Sequence, residues 1–146
     1  MKKLIITLFV LITSFTANAK EYNGNEVKDC SQNAIVMFCD LEGEPITGVV
    51  KGYYENGNLR AEGNFKDGKL EGLGKEYYEN GNLKEEVNFK GDKQEGLGKS
   101  YYDNGNLKAE VNFKDGKAVS GYMYDIDGEK KEMTNAHLHN MTKNLK

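Results

Sequence analysis

The sequence predicts an all-β protein: an elongated, single antiparallel meander of tandem β-hairpin repeats with a 24-residue period, capped at its C-terminus by a short helix or tail. Three observations predict it. YYENGNL stands at 53–59 and at 77–83 and returns as YYDNGNL at 101–107, and self-similarity at a fixed short period marks a repeat architecture. Each copy holds two turn signals, Asn-Gly at 56–57, 80–81 and 104–105 and a second pair at Asp67-Gly68, Gly91-Asp92 and Asp115-Gly116. Between the turns, segments of strand length alternate apolar and polar residues, as a half-buried strand must.

The chain begins MKKLIITLFVLITSFTANAK. Lys2 and Lys3, the apolar run Leu4 to Ile12 and the small-x-small site Ala17-Asn18-Ala19 have the order of a secretory signal peptide, too short in its apolar part to span a bilayer. Residues 1–19 are therefore expected to be removed, leaving no transmembrane segment in an exported mature chain, periplasmic, cell-surface or secreted. Loss of the two lysines leaves 18 basic against 23 acidic residues, a net charge of −5. Nucleic acid and anionic lipid both demand a basic surface, so neither is expected as a partner.

Residues 20–40 form an expected N-terminal capping segment that carries the chain's two cysteines, Cys30 and Cys39. An even pair so close in sequence in an exported chain reads as a local disulfide. A two-residue hairpin turn here would place Cys30 opposite Ile35 and leave Cys39 four residues, about 13 Å, further along. A disulfide tolerates Cα separations only up to about 7 Å. Asp29 to Asn33 lack an Asn-Gly signal, so a wider loop is expected to bring the two together.

The repeats are expected over 41–128. Residues 34–54 read as a worn first copy with Glu42-Gly43-Glu44 as its turn, aligning Leu41 with Phe65 and Ile46 with Leu70. In the full copies Leu59, Ala61, Gly63 and Phe65 share one face, as do Leu83, Glu85, Val87, Phe89 and Leu107, Ala109, Val111, Phe113; Arg60, Glu62, Asn64 and their counterparts share the other. A type I′ turn at Asn80-Gly81 would set Tyr78 opposite Leu83, Glu76 opposite Glu85 and Gly74 opposite Val87, with Lys75 paired to Glu86. A last hairpin turns at Asp127-Gly128, and residues 129–146 supply the cap. There Leu138, Met141 and Leu145 have helical spacing, with Thr134 or Asn135 as N-cap. A terminal element of this kind covers what the last repeat leaves open.

The recurring YYENGNLK with G-x-x-x-F-K-D-G-K-x-x-G resembles the bacterial variant of the MORN repeat over roughly residues 41–128. That resemblance implies hairpins stacked into an elongated, twisted antiparallel sheet. Members of this repeat family are often labelled YwqK-type antitoxins, and some carry a phosphatidylinositol phosphate kinase label. No phosphate-cradling glycine loop before a helix and no lysine-plus-aspartate constellation supports kinase chemistry here.

Catalysis needs convergent, unlike groups, yet Glu62, Glu86 and Glu110 recur once per repeat on the polar face as a salt-bridged surface. His137 and His139, the only histidines, flank Leu138 without a fixed carboxylate partner and do not make a metal site. Asp125-Ile126-Asp127-Gly128-Glu129 reads as a turn rather than a calcium loop. No enzyme activity, cofactor or metal is expected. Tyr54, Tyr78 and Tyr102 point to the apolar face, whereas Tyr53, Tyr77 and Tyr101 form an outward row of amphipathic rings suited to contact with a protein or cell-surface component. The function expected is an exported, non-enzymatic scaffold binding through its sheet; the alternative is an antitoxin or immunity-like protein masking a partner toxin.

Overall fold

The computed structural model describes residues 20–30 and 37–143; residues 1–19, expected as a leader, and Ile35 and Leu145 lie outside the described residues. In chain order the strands are β1 (Lys20–Asn23), β2 (Val27–Asp29), β3 (Phe38–Asp40), β4 (Gly48–Tyr53), β5 (Leu59–Lys66), β6 (Lys69–Tyr77), β7 (Leu83–Lys90), β8 (Lys93–Gln94), β9 (Gly96–Tyr101), β10 (Leu107–Lys114), β11 (Lys117–Tyr124) and β12 (Lys130–Glu132), followed by helix α1 (Asn135–Lys143). Ten of them make one sheet ordered β1-β4-β5-β6-β7-β9-β10-β11-β12, with β8 also on β7, and β2 pairs with β3 alone. From β4 onward the sheet is the expected antiparallel meander. Only β1 departs, lying parallel to β4, because the β2–β3 hairpin intervenes and returns the chain in the same direction. No helix among the described residues is long and apolar enough to cross a membrane.

The two turn signals trade conformations relative to expectation. Asp67-Gly68, Gly91-Asp92 and Asp115-Gly116 are the two-residue turns with both central φ positive, at 50° and 77° for the first and 55° and 65° for the second, the type I′ signature. At Asn56-Gly57 only the glycine is left-handed, with φ 86°. Gly57 N–H donates to Tyr54 O at 3.0 Å and Tyr54 N–H to Asn58 O at 2.9 Å, which closes a three-residue loop ending in a left-handed glycine. Asn80-Gly81 and Asn104-Gly105 repeat this bonding, and so do Glu42-Gly43 and Asp127-Gly128.

The longer loop corrects the register near each tip. Tyr77, not Tyr78, lies opposite Leu83; a bulge then absorbs Lys84 and restores Glu76 opposite Glu85, Lys75 opposite Glu86 and Gly74 opposite Val87. Lys84 is thereby turned from the polar face, where alternation puts it, to reach Glu76 with Nζ 2.9 Å from Oε1. The worn first copy needs a second correction. Leu41 sits in a turn of the Asn-Gly kind and is 64% exposed, so it does not occupy Phe65's place on the apolar face. Ile46 has no exposed surface at all, whereas its counterpart Leu70 is only half-buried.

Cys30 and Cys39 are disulfide-bonded with Cα atoms 5.9 Å apart. The strand register resolves the geometric conflict: β2 and β3 pair Lys28 with Cys39, and Cys30 N–H donates to Met37 O; the loop expected between them, at 31–36, lies outside the described residues.

A single sheet has two faces, and small elements cover the apolar one at its ends. At the N-terminal end Phe38 stacks edge-on against Phe65 with centroids 5.5 Å apart, and Tyr22, Cys39 and Ile46 are buried. At the other end Met133 and Leu138 pack with Val87, Ala109, Val111 and Phe113 into one buried cluster, joined by Met141. Thr134 caps α1 as expected, its Oγ1 accepting from His137 N–H at 3.4 Å. In the second and third full copies the phenylalanine lies over a glycine of the neighbouring strand: a Cβ on Gly74 would come 2.9 Å from the Phe89 ring, and one on Gly98 3.0 Å from the Phe113 ring. Glycine leaves the space that the ring fills.

Candidate functional site

The repeated heptapeptide joins one repeat to the next. Tyr54 donates its hydroxyl to Tyr77 O at 2.6 Å, Tyr78 to Tyr101 O at 2.8 Å and Tyr102 to Tyr124 O at 2.9 Å. Asn58 Nδ2 donates to Glu79 O, and Asn82 Nδ2 to Asp103 O, while Asn56 Oδ1 and Asn80 Oδ1 hold their own loops by accepting from the N–H two residues on. These groups satisfy backbone carbonyls that the next turn would leave open. The inner tyrosines are accordingly half-buried.

On the outer face a charged row runs across the strands. Pairing sets Lys51 beside Glu62, Glu62 beside Lys75, Lys75 beside Glu86, Glu86 beside Lys99 and Lys99 beside Glu110. Opposite charges directly across a sheet are mildly stabilising, and this face neutralises itself.

The outward tyrosines stand next to that row. Tyr77 donates to Glu62 Oε1 at 2.8 Å and Tyr101 to Glu86 Oε1 at 3.0 Å. Burial, then the bond to Glu62, pushes the Tyr77 hydroxyl up to about 12; burial and Glu86 raise Tyr101 likewise. Tyr53 has no such partner, because the position one period before Glu62 is Phe38, and it stays 46% exposed. Tyr124 is a fourth member that the 24-residue count misses, donating to Glu110 Oε2 at 2.8 Å. Its signal was the spacing of 14 to Glu110, against 15 in the other copies. His137 and His139 are exposed on α1, and the described residues hold no cluster of three or more potential metal ligands.

The inner face is open between its two caps. A groove of about 600 Å³ lies there, floored by Ala61, Gly63, Phe65, Leu70, Gly74, Val87 and Phe89. Glu62 and Lys75 also line it, as expected where Gly63 and Gly74 leave flanking backbone uncovered. One inner row reads Gly52, Ala61, Glu76, Glu85, Ser100, Ala109 across successive strands, so two carboxylates sit side by side in its middle. Glu76 is bonded by Lys84. Burial, with Glu76 opposite, holds the Glu85 carboxyl above its ordinary range, and Lys84 pulls more weakly the other way. A second hollow of about 330 Å³ continues beyond Glu85 toward Tyr102 and Met141.

Sequence alternation had placed Glu85 on this face, but nothing in it showed that the face would stay uncovered there. That depends on where the two caps end.

Three stretches of the chain, residues 46–67, 70–90 and 94–115, match the MORN repeat variant family. Among curated proteins none matches the chain.

Proposed function

We propose that these MORN-variant repeats make an exported, non-enzymatic scaffold that binds another protein or cell-surface component in the inner groove between the caps. The groove carries the reading: an apolar floor edged by charged side chains, Arg60, Glu62, Lys75, Glu76 and Glu85, within the several-hundred Å³ range of binding pockets, on a repeat sheet. The outer face supports it by contrast, since its lysines and glutamates face one another and two of its three expected contact tyrosines spend their hydroxyls on glutamates. Export is supported by the leader-like residues 1–19 and by a disulfide that an oxidising compartment would maintain.

The test compares two variants by crosslinking capture on living cells. Ala61→Arg fills the groove and sets a guanidinium opposite Glu76, whereas the triple change of Tyr53, Tyr77 and Tyr101 to Ser strips the outer row. A partner lost with Ala61→Arg and kept by the triple variant is the expected result. The reverse pattern would move the site to the tyrosine row. Intact mass of the exported chain, beginning at Lys20 and two hydrogens short, is the expected sign of processing and of the closed disulfide.

A further inference from the structure

The middle repeat departs from its neighbours at three inner-face positions: Glu76 stands between Gly52 and Ser100, and the other two departures exchange an apolar residue for a polar one. Glu85 stands where the flanking copies have Ala61 and Ala109, so the fold does not require an acid there. Gln94 stands where the series has Ile46, Leu70 and Ala118. Both line the groove between the caps.

Neither side chain is satisfied from within the chain. Lys84 Nζ bonds Glu76 Oε1 at 2.9 Å, and no described side chain or N–H bonds the Glu85 carboxylate. Gln94 is only 6% exposed, and its Oε1 has no hydrogen-bond partner. A buried acceptor without a donor costs on the order of 1–3 kcal/mol, and an unpaired, half-buried carboxylate beside a second one adds repulsion. Two such costs on one face of one repeat are what a site waiting for donors would show.

The two groups are set apart along the groove. Gln94 pairs with Phe89, four residues along β7 from Glu85, which is about 13 Å of strand. An extended polypeptide of about four residues covers that length. The floor between them is apolar, and the mature chain's net negative charge favours a positive partner.

We infer that the groove takes an extended segment of a partner protein with apolar side chains on the Val87 and Phe89 floor, one lysine or arginine at Glu85 and a hydrogen-bond donor at Gln94. This rests on the reading of the inner groove as the binding face and adds what that face selects. Glu85 with Glu76 would give the cation two carboxylates, of which Lys84 bonds only Glu76, while Arg60 and Lys75 also line the groove. The Gln94 side-chain amide would turn its oxygen to a donor from the segment.

The test uses the mature chain and three acetylated, amidated six-residue apolar peptides that differ at one position, lysine, norleucine or glutamate, with binding read by fluorescence anisotropy. The lysine peptide is expected to bind at least about tenfold more tightly than the norleucine one, the equivalent of about 1.4 kcal/mol. Glu85→Ala should remove that preference, and Gln94→Leu should weaken both peptides alike. Each variant restores a residue that the repeat carries elsewhere, so folding is expected to be kept, and far-ultraviolet circular dichroism checks it. Equal binding of lysine and norleucine peptides would overturn the inference and leave the groove reading standing. No binding of any peptide at millimolar concentration would overturn both. Hexylammonium competing as well as the lysine peptide would overturn the polypeptide occupant.

Discussion

Replacing Glu85 by alanine should make the protein more stable at neutral pH. The carboxylate lies opposite Glu76 in the sheet, and like charges directly across a pair cost from a few tenths to about 1 kcal/mol. Burial of its charged form adds to that cost, and the alanine equivalents Ala61 and Ala109 show that the smaller side chain fits the row. A gain of ~1 kcal/mol is expected, or about 3–5 °C in Tm for a chain of this size.

The gain should depend on pH with a definite sign. A carboxyl whose folded pKa is raised above its ordinary 4.5 binds more protons folded than unfolded, so wild-type stability falls as pH rises through the interval between the two values. At pH 7.5 the full penalty is present, and at pH 4 it is nearly gone. Urea denaturation at both pH values, with Glu85→Gln as a variant that keeps the methylenes and lacks the charge, reads this directly. A destabilised Glu85→Ala, or the same increment at both pH values, would refute the reasoning.

Three further outcomes are expected. Tyr78→Phe deletes the bond to Tyr101 O and should cost about 0.5–1.5 kcal/mol in urea denaturation. Gly121→Ala would set a Cβ 2.6 Å from Glu110 O and 3.1 Å from Met133 Sδ, an overpacking that should cost about 1–3 kcal/mol, whereas Gly52→Ala, with no atom within 4 Å of its Cβ, should be neutral or slightly stabilising. In alkaline titration followed by tyrosinate absorbance, Tyr77, pushed up to about 12, and Tyr101 should ionise last. Because these raised phenols hold their protons in the folded state, stability should fall as pH rises above 10, and Glu62→Gln should bring Tyr77 down.

Much of this was legible in the letters because a repeat states its pattern several times. Alternation placed Val87, Phe89 and Glu85 on one face, and the body of the register followed from it, with Lys75 opposite Glu86. What failed was local. Asn-Gly is compatible with a two-residue turn, but here Asn56 and Asn80 spend their side chains inside a longer loop, and a bulge at Lys84 hides the extra residue from any count by twos. Leu41 has the 24-residue spacing of a core position, but its turn is of the three-residue kind and leaves it exposed. The groove was not legible at all: it is the gap left between a disulfide hairpin at one end and a nine-residue helix at the other, a relation between distant segments that no local pattern encodes. Gln94 could have been found, since it breaks a column of Ile46, Leu70 and Ala118.

The most direct test of the inner-face account is photo-crosslinking in living cells with a small diazirine amino acid at position 61 in the groove or at position 97, an outer-face leucine that is 45% exposed. Adducts of one partner at 61 and none at 97, with the crosslinked partner peptide carrying a lysine or arginine, are the predicted result. Adducts at 97 alone would contradict it and place the contact on the outer, charge-paired face.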